Sequence, residues 1–154
     1  MEYNHMQRGS WHYILFAVAA VMLAAAWVAR DEVWAMDLNL AVAVLFVALA
    51  MMFGSLTVRD EGQWLALRYG PLPMFRKRIR YDKITAVEPD RTKIIDGWGI
   101  HYIPGRGWTY NLWGFDCTRL SLGKKIIRVG TDDADNLVKF LKGKVLADGL
   151  SAMP

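Results

Sequence analysis

The chain has 154 residues, 54% of them hydrophobic and 22% charged, with a formal net charge of +4. The apolar share stands above the roughly 45–50% usual for a soluble domain, and the excess lies before residue 57. A single cysteine, Cys117, excludes an internal disulfide, and acids interleaved among the bases speak against nucleic acid as a partner.

The charge divides with the hydrophobicity. Before Thr57 there are 2 Lys and Arg against 4 Asp and Glu; from Thr57 onward there are 17 against 11. The basic character therefore belongs to the second part, and it suits an anionic membrane surface.

In chain order, the first element is an uncharged stretch of 21 residues between Arg8 and Arg30. A second uncharged stretch of 21 residues follows between Asp37 and Arg59. About 20 apolar residues span a bilayer core as a helix, so the sequence predicts transmembrane helices over about 11–29 and 38–56. Together they make a hairpin domain over residues 1–56. Trp11, Tyr13 and Trp27 lie near the ends of the first helix, where aromatic rings favour the interface. Two alternatives compete with this: a pair of buried helices in a soluble protein, or a cleaved signal peptide ending near Ala24–Ala26. The 98 residues that remain offer too little polar shell for the first. The lone Arg8 is a poor positive region for the second. Ala20 and Ala24, four apart, offer a surface for close helix approach. The connector Arg30–Asp37 carries one Arg and three acids, whereas the chain after the second helix is rich in Arg and Lys. By the preference of these residues for the cytoplasm, both termini are expected there.

Residues 57–154 read as a small β domain. Short runs punctuated by Gly and Pro predict strands near 55–59, 64–69, 76–81, 84–90, 99–103, 108–111, 117–122 and 125–129. Turns fall at Gly70–Pro73, at Pro104–Gly107 and at the tight hairpin around Gly123. One amphipathic helix, about Asp133–Leu146, closes the domain, with Leu137, Val138, Leu141 and Val145 on one stripe. Thr131 or Asp133 is its expected N-cap, and the tail after Asp148 is expected to fray.

Gly97-Trp98-Gly99-Ile100, Gly107-Trp108-Thr109-Tyr110-Asn111 and Gly130-Thr131-Asp132-Asp133 occur in that order. With the helix pair ahead of them, these stretches resemble the bacterial pleckstrin-homology-like domains that follow two transmembrane helices. The resemblance covers roughly Phe53–Leu141. Relatives often have proline where Ala134 stands, and the hairpin at Gly123 is short by comparison. The resemblance implies a two-helix transmembrane hairpin plus a mainly-β domain, with about seven antiparallel strands and a C-terminal helix. It also implies a bacterial inner-membrane location, and it carries no activity onto particular residues.

The chemistry-bearing residues do not assemble into a catalytic or metal pattern. His5, His12, His101 and Cys117 lack the spacing of a zinc site, and no cofactor is expected. Cys117 and Ser121 lie on a predicted strand outside any nucleophile elbow. Asp132, Asp133 and Asp135 suit a helix start. The many glycines follow no phosphate-loop order. Two features remain. The aromatic centre holds Trp98, Trp108 and Trp113 with Tyr102 and Tyr110; it either packs the core or forms a platform. The basic run holds Arg76, Lys77, Arg78 and Arg80. In a strand, Arg76, Arg78 and Arg80 share one face, opposite Phe75, Lys77, Ile79 and Tyr81.

The sequence thus predicts a non-enzymatic, membrane-anchored scaffold that presents its domain to a protein partner. The second reading is an anionic-lipid sensor or lipid-handling module using Arg76, Lys77, Arg78, Arg80, Trp98, Trp108 and Trp113 as contacts. A membrane-bound enzyme comes third. Membrane lipids, an unidentified protein and a second copy of the chain joined at sheet edges are the expected partners, and nucleic acid is not.

Overall fold

The structure is a computed structural model that describes residues 2–71, 75–93 and 99–151, with side chains to Leu146. Helix α1 (Trp11–Val28) and helix α2 (Val33–Met52) form the hairpin. Both are long and apolar enough to cross a membrane. Their connector is the short turn Ala29–Glu32, so Trp34 and Asp37 belong to α2 and the second helix starts five residues before the expected Leu38. The helices pack on each other through Ala19, Ala26, Ala43 and Ala50, all buried. Each pair is spaced by seven residues, the repeat that keeps one seam facing a partner helix. The expected pair Ala20 and Ala24 is exposed instead.

Around the rest of the hairpin, Ile14, Phe16, Val21, Leu23, Leu38, Val44 and Leu45 are exposed. A core helix of a soluble protein would bury these residues, so the buried-helix alternative is not what the chain adopts.

The β domain contains two sheets and a C-terminal helix. The first sheet has the order β1 (Asn4–Arg8), β2 (Ser55–Asp60), β3 (Trp64–Tyr69), β4 (Phe75–Arg80), all antiparallel. A short 3₁₀ turn, Tyr81–Lys83, leads to the second sheet. There the order is β5 (Ala86–Arg91), β8 (Asp116–Leu122), β9 (Lys125–Gly130), β7 (Gly107–Asn111), β6 (Gly99–Ile103). Helix α3 (Ala134–Ser151) follows.

Four differences from the sequence reading matter. The segment ahead of α1 is a strand: Asn4–Arg8 pairs with Ser55–Arg59, so both ends of the hairpin enter one sheet and residues 1–56 are not helical hairpin alone. Leu56, which the sequence reading placed both at the end of the second helix and in the strand near 55–59, is a fully buried strand residue. Nine strands are described where the sequence runs placed eight and the resemblance implies about seven. They are also not all antiparallel, because β7 and β9 run parallel.

Two backbone contacts fix the junction of hairpin and sheet. Gly9 N–H donates to the Gly54 carbonyl at 3.4 Å, and Gly70 N–H donates to the Ser55 carbonyl at 2.8 Å. Gly70 has φ +66°, and a Cβ there would lie 2.5 Å from the Met51 carbonyl oxygen, so only glycine lets β3 pass the end of α2.

The core lies between the sheets and α3. Leu56, Val58, Leu65, Leu67 and Ile79 from the first sheet meet Val87, Leu120, Ile127 and Val129 from the second. Leu137, Val138 and Leu141 of α3 close it. The Leu137 N–H donates to the Asp133 carbonyl at 3.1 Å, which puts Asp133 at the N-cap of α3, and the Asp133 N–H in turn donates to Thr131 Oγ1 at 3.1 Å. The helix runs on to Ser151, past the point where fraying was expected. β1 is tied to the start of α3: Tyr3 OH donates to Asp133 at 3.1 Å, and His5 Nε2 lies 2.6 Å from Asp132.

Candidate functional site: an arginine face and an aromatic trough

Strand alternation gives the first sheet two unlike faces. Leu56, Val58, Leu65, Leu67, Tyr69 and Ile79 point inward and are buried. Register places Thr57, Arg68 and Arg76 abreast on the outer face, then Arg59, Ala66 and Arg78, then Trp64 and Arg80. The predicted set Arg76, Arg78 and Arg80 is thus together and exposed, and Arg59 and Arg68 join it from neighbouring strands.

One carboxylate serves most of this face. Glu61 accepts from Arg59 and, at 2.8 Å, from Arg78 Nε, and lies 3.8 Å from Arg68. Its side chain is 13% exposed. The hydrogen bond from Arg59, followed by the charges of Arg78 and Arg59, holds its carboxyl below the usual carboxylate range. Arg68 is pushed down from its ordinary value by desolvation first, then by the charges of Arg59 and Arg76. Arg80 pairs with Asp82 at 2.8 Å and lies over the Trp64 ring. Among the described residues, Arg76 has no carboxylate partner. Cation therefore exceeds anion on this face.

The rows of this face differ in their distance from the hairpin. β2 leaves α2 at Ser55 and rises about 3.3 Å per residue. Arg8 pairs with Ser55 at the base, and the Arg68–Arg76 row sits two residues higher. Arg80 lies at the far end of β4. A groove of about 500 Å³ opens at the base, lined in part by Arg8, Ser10, His12, Ser55 and Thr57.

On the inner side of β4, toward the second sheet, lies an open trough. It consists of two adjoining cavities of about 390 and 230 Å³ that share Lys77, Trp108 and Tyr110. Phe75, Tyr69 and Ile100 line one end; Tyr102, Lys124 and Lys125 line the other. Trp108 is 44% exposed, with the Tyr102 ring centroid at 5.5 Å. Gly107 permits this packing: it has φ +89°, and a Cβ there would collide with the Ile126 backbone. Burial raises the Tyr110 hydroxyl above its ordinary value. The lining offers cations and aromatic faces, with no carboxylate, histidine or thiol among the described residues that form it.

The tryptophans part company. Trp108 stands in the trough, whereas Trp113 lies in the loop after β7, edge-on to Trp11 at 6.1 Å beside the start of α1. Its carbonyl accepts from Gln7 Nε2 at 2.9 Å. Trp98 lies outside the described residues. Cys117 is fully buried in β8. Sequence reasoning passed over Glu61, whose only signal is its place in a turn between two arginine-bearing strands. It also passed over Lys124 and Lys125, which occupy the Gly123 hairpin. Comparison with protein-family models and with curated proteins finds no match for this chain.

Proposed function

We propose that the chain is a membrane-anchored, non-enzymatic binding module of pleckstrin-homology-like plan. Its hairpin holds it in a bacterial inner membrane, and its domain serves a protein partner on the cytoplasmic side. The trough carries this reading. Trp108, Tyr102 and Phe75 are large apolar side chains left exposed together beside Lys77, Lys124 and Lys125. Clustered exposed aromatics of this kind mark contact surfaces. The cytoplasmic placement rests on the basic domain and the acidic connector, and two hairpin ends entering one sheet agree with both flanks lying on one side.

The test is cross-linking of the full chain in its native membrane, then purification in mild detergent. The expected result is a protein recovered with wild type and with Trp113→Ser, and lost with Trp108→Ser. Equal recovery with both variants overturns the reading, as does a reporter at Met1 or Pro154 that reads as external.

A second reading has its own support. Arg8, Arg68 and Arg76 lie near the helix ends, where anionic headgroups attract each basic residue by about 1 kcal/mol. On this reading the arginine face orients a domain that the hairpin has already tethered.

A further inference from the structure

β4 is an edge strand, and its free backbone groups can be assigned. In an antiparallel ladder, alternate residues direct both N–H and C=O to the same neighbour. Tyr81 N–H donates to the Gln63 carbonyl at 3.1 Å, in register with the pairs Leu65–Ile79, Leu67–Lys77 and Tyr69–Phe75. The Gly70–Ser55 bond on the other side of β3 gives the same phase, sending Ala66 and Arg68 toward β2. Phe75, Lys77 and Ile79 are therefore satisfied by β3, and Arg76, Arg78 and Arg80 turn their backbone groups outward.

An open edge invites a further strand, and charged side chains decide which strand is accepted. A second copy of β4 would set arginine against arginine, which repels. One edge of the other sheet has a different guard: β5 carries Pro89, which cannot donate. At β4 the guard is charge alone, and charge admits its complement.

We propose that β4 is a docking strand for an extended segment of the partner protein in which acidic and apolar residues alternate. Acidic side chains of the added strand lie beside Arg76, Arg78 and Arg80 on the outer face. Its apolar side chains turn to the other face, into the trough floored by Trp108, Tyr110 and Phe75. Two-sided alternation follows from the pleat, because successive side chains of any added strand point to opposite faces. The proposal rests on the protein-partner reading and names the chemistry of that partner.

The experiment uses the full chain in uncharged detergent micelles. The probe is a short synthetic peptide alternating glutamate with valine and phenylalanine. It is compared with a block-ordered peptide of the same composition, with a form N-methylated at the amides that would face β4, and with a lysine-for-glutamate form. The alternating peptide should bind. The block-ordered and N-methylated forms should bind at least about tenfold more weakly, since the first loses the two-sided alternation and the second the strand pairing, while both keep the charge. On binding, amide exchange should slow at residues 76, 78 and 80, while residues 75, 77 and 79 are protected already. The pair Arg76→Glu and Arg78→Glu should reverse the preference toward the lysine peptide, which shows that the variant is folded.

Equal binding of alternating and block-ordered peptides overturns the proposal. So does binding without protection at residues 76, 78 and 80. If the peptide fails while a Trp108-dependent protein is still recovered from membranes, the edge is wrong and the partner reading stands. If that recovery fails too, both fall. Attachment to vesicles containing phosphatidylglycerol, with no peptide binding, assigns the face to lipid and overturns the proposal.

Discussion

The two sheets each carry arginines on their outward faces, and they treat them differently. On the second sheet every such arginine has its own acid. Arg128 Nε lies 2.7 Å from Asp90 and Arg119 lies 3.7 Å from Glu88, while Arg91, on the face of β5 that it shares with Val87, lies 3.0 Å from Asp116. Arg128 is also nearly covered, its side chain 7% exposed. On the first sheet Arg59, Arg68 and Arg78 converge on Glu61, and Arg76 has no carboxylate among the described residues. The second arrangement is a neutral lattice that finishes a surface. The first leaves positive charge unspent on an open edge. Counting arginines does not distinguish the two faces; counting the acids that answer them does.

The interior shared by both sheets sets the scale for this contrast. Leu141 is fully buried under them, so Leu141→Ala should lower unfolding stability by about 2–5 kcal/mol in a denaturant titration. A loss below about 0.5 kcal/mol would mean that α3 does not close the core. Arg128→Ala should approach this at about 3 kcal/mol, because it strands Asp90 and opens a covered site. Arg78→Ala, with an exposed side chain, should stay within about 0.5 kcal/mol. Similar losses for the two arginine variants would erase the distinction between the faces.

The same contrast shows what the sequence could carry. Strands β2–β9 were legible because turn residues punctuate them, and α3 because its apolar stripe must be buried. β1 was not. Its inward residues include His5 and Gln7, polar side chains that reach Asp132 and the Trp113 carbonyl, so no apolar alternation marks it. Its partner also lies beyond the whole hairpin. The alternation of Arg76, Arg78 and Arg80 was readable from spacing alone. That β4 is an edge was not, since edge status depends on the sheet order. Nor was the separation of Trp108 from Trp113, which depends on where the loop after β7 turns.

The unspent charge has a measurable consequence at a membrane. Changing Arg76, Arg78 and Arg80 together to Gln should remove about 3 kcal/mol of attraction to anionic vesicles on the lipid reading. The effect should shrink as salt rises, with screening over roughly 10 Å at 0.1 M. The depth order adds a finer expectation. Arg76, in the row nearer the hairpin, should matter more than Arg80, which is distal and already paired with Asp82. Binding that responds equally to the two single changes, or to neither, leaves the face to the protein partner.

The smallest effect is the most discriminating, because it should carry opposite signs in two assays. Glu61 is the acid on which Arg59, Arg68 and Arg78 converge, and its carboxyl is held below the ordinary carboxylate value. A carboxylate depressed in the folded state stabilises the fold above its unfolded pKa, and that contribution disappears as pH falls through the folded value. Glu61→Gln should therefore cost about 1 kcal/mol at neutral pH, the scale of a partly exposed charge network. Wild type and variant should converge in acid, below the usual carboxylate range. The same change removes the acid that competes for Arg59 and Arg78, so binding of the alternating acidic peptide should tighten at neutral pH and low salt. Stability falling while anion binding rises would identify the face as one that keeps charge available at a cost to the fold. If both fall together, Glu61 holds the arginines in place for their ligand. If neither moves, the cluster is a solvated surface like any other, and the contrast between the two sheets loses its functional meaning.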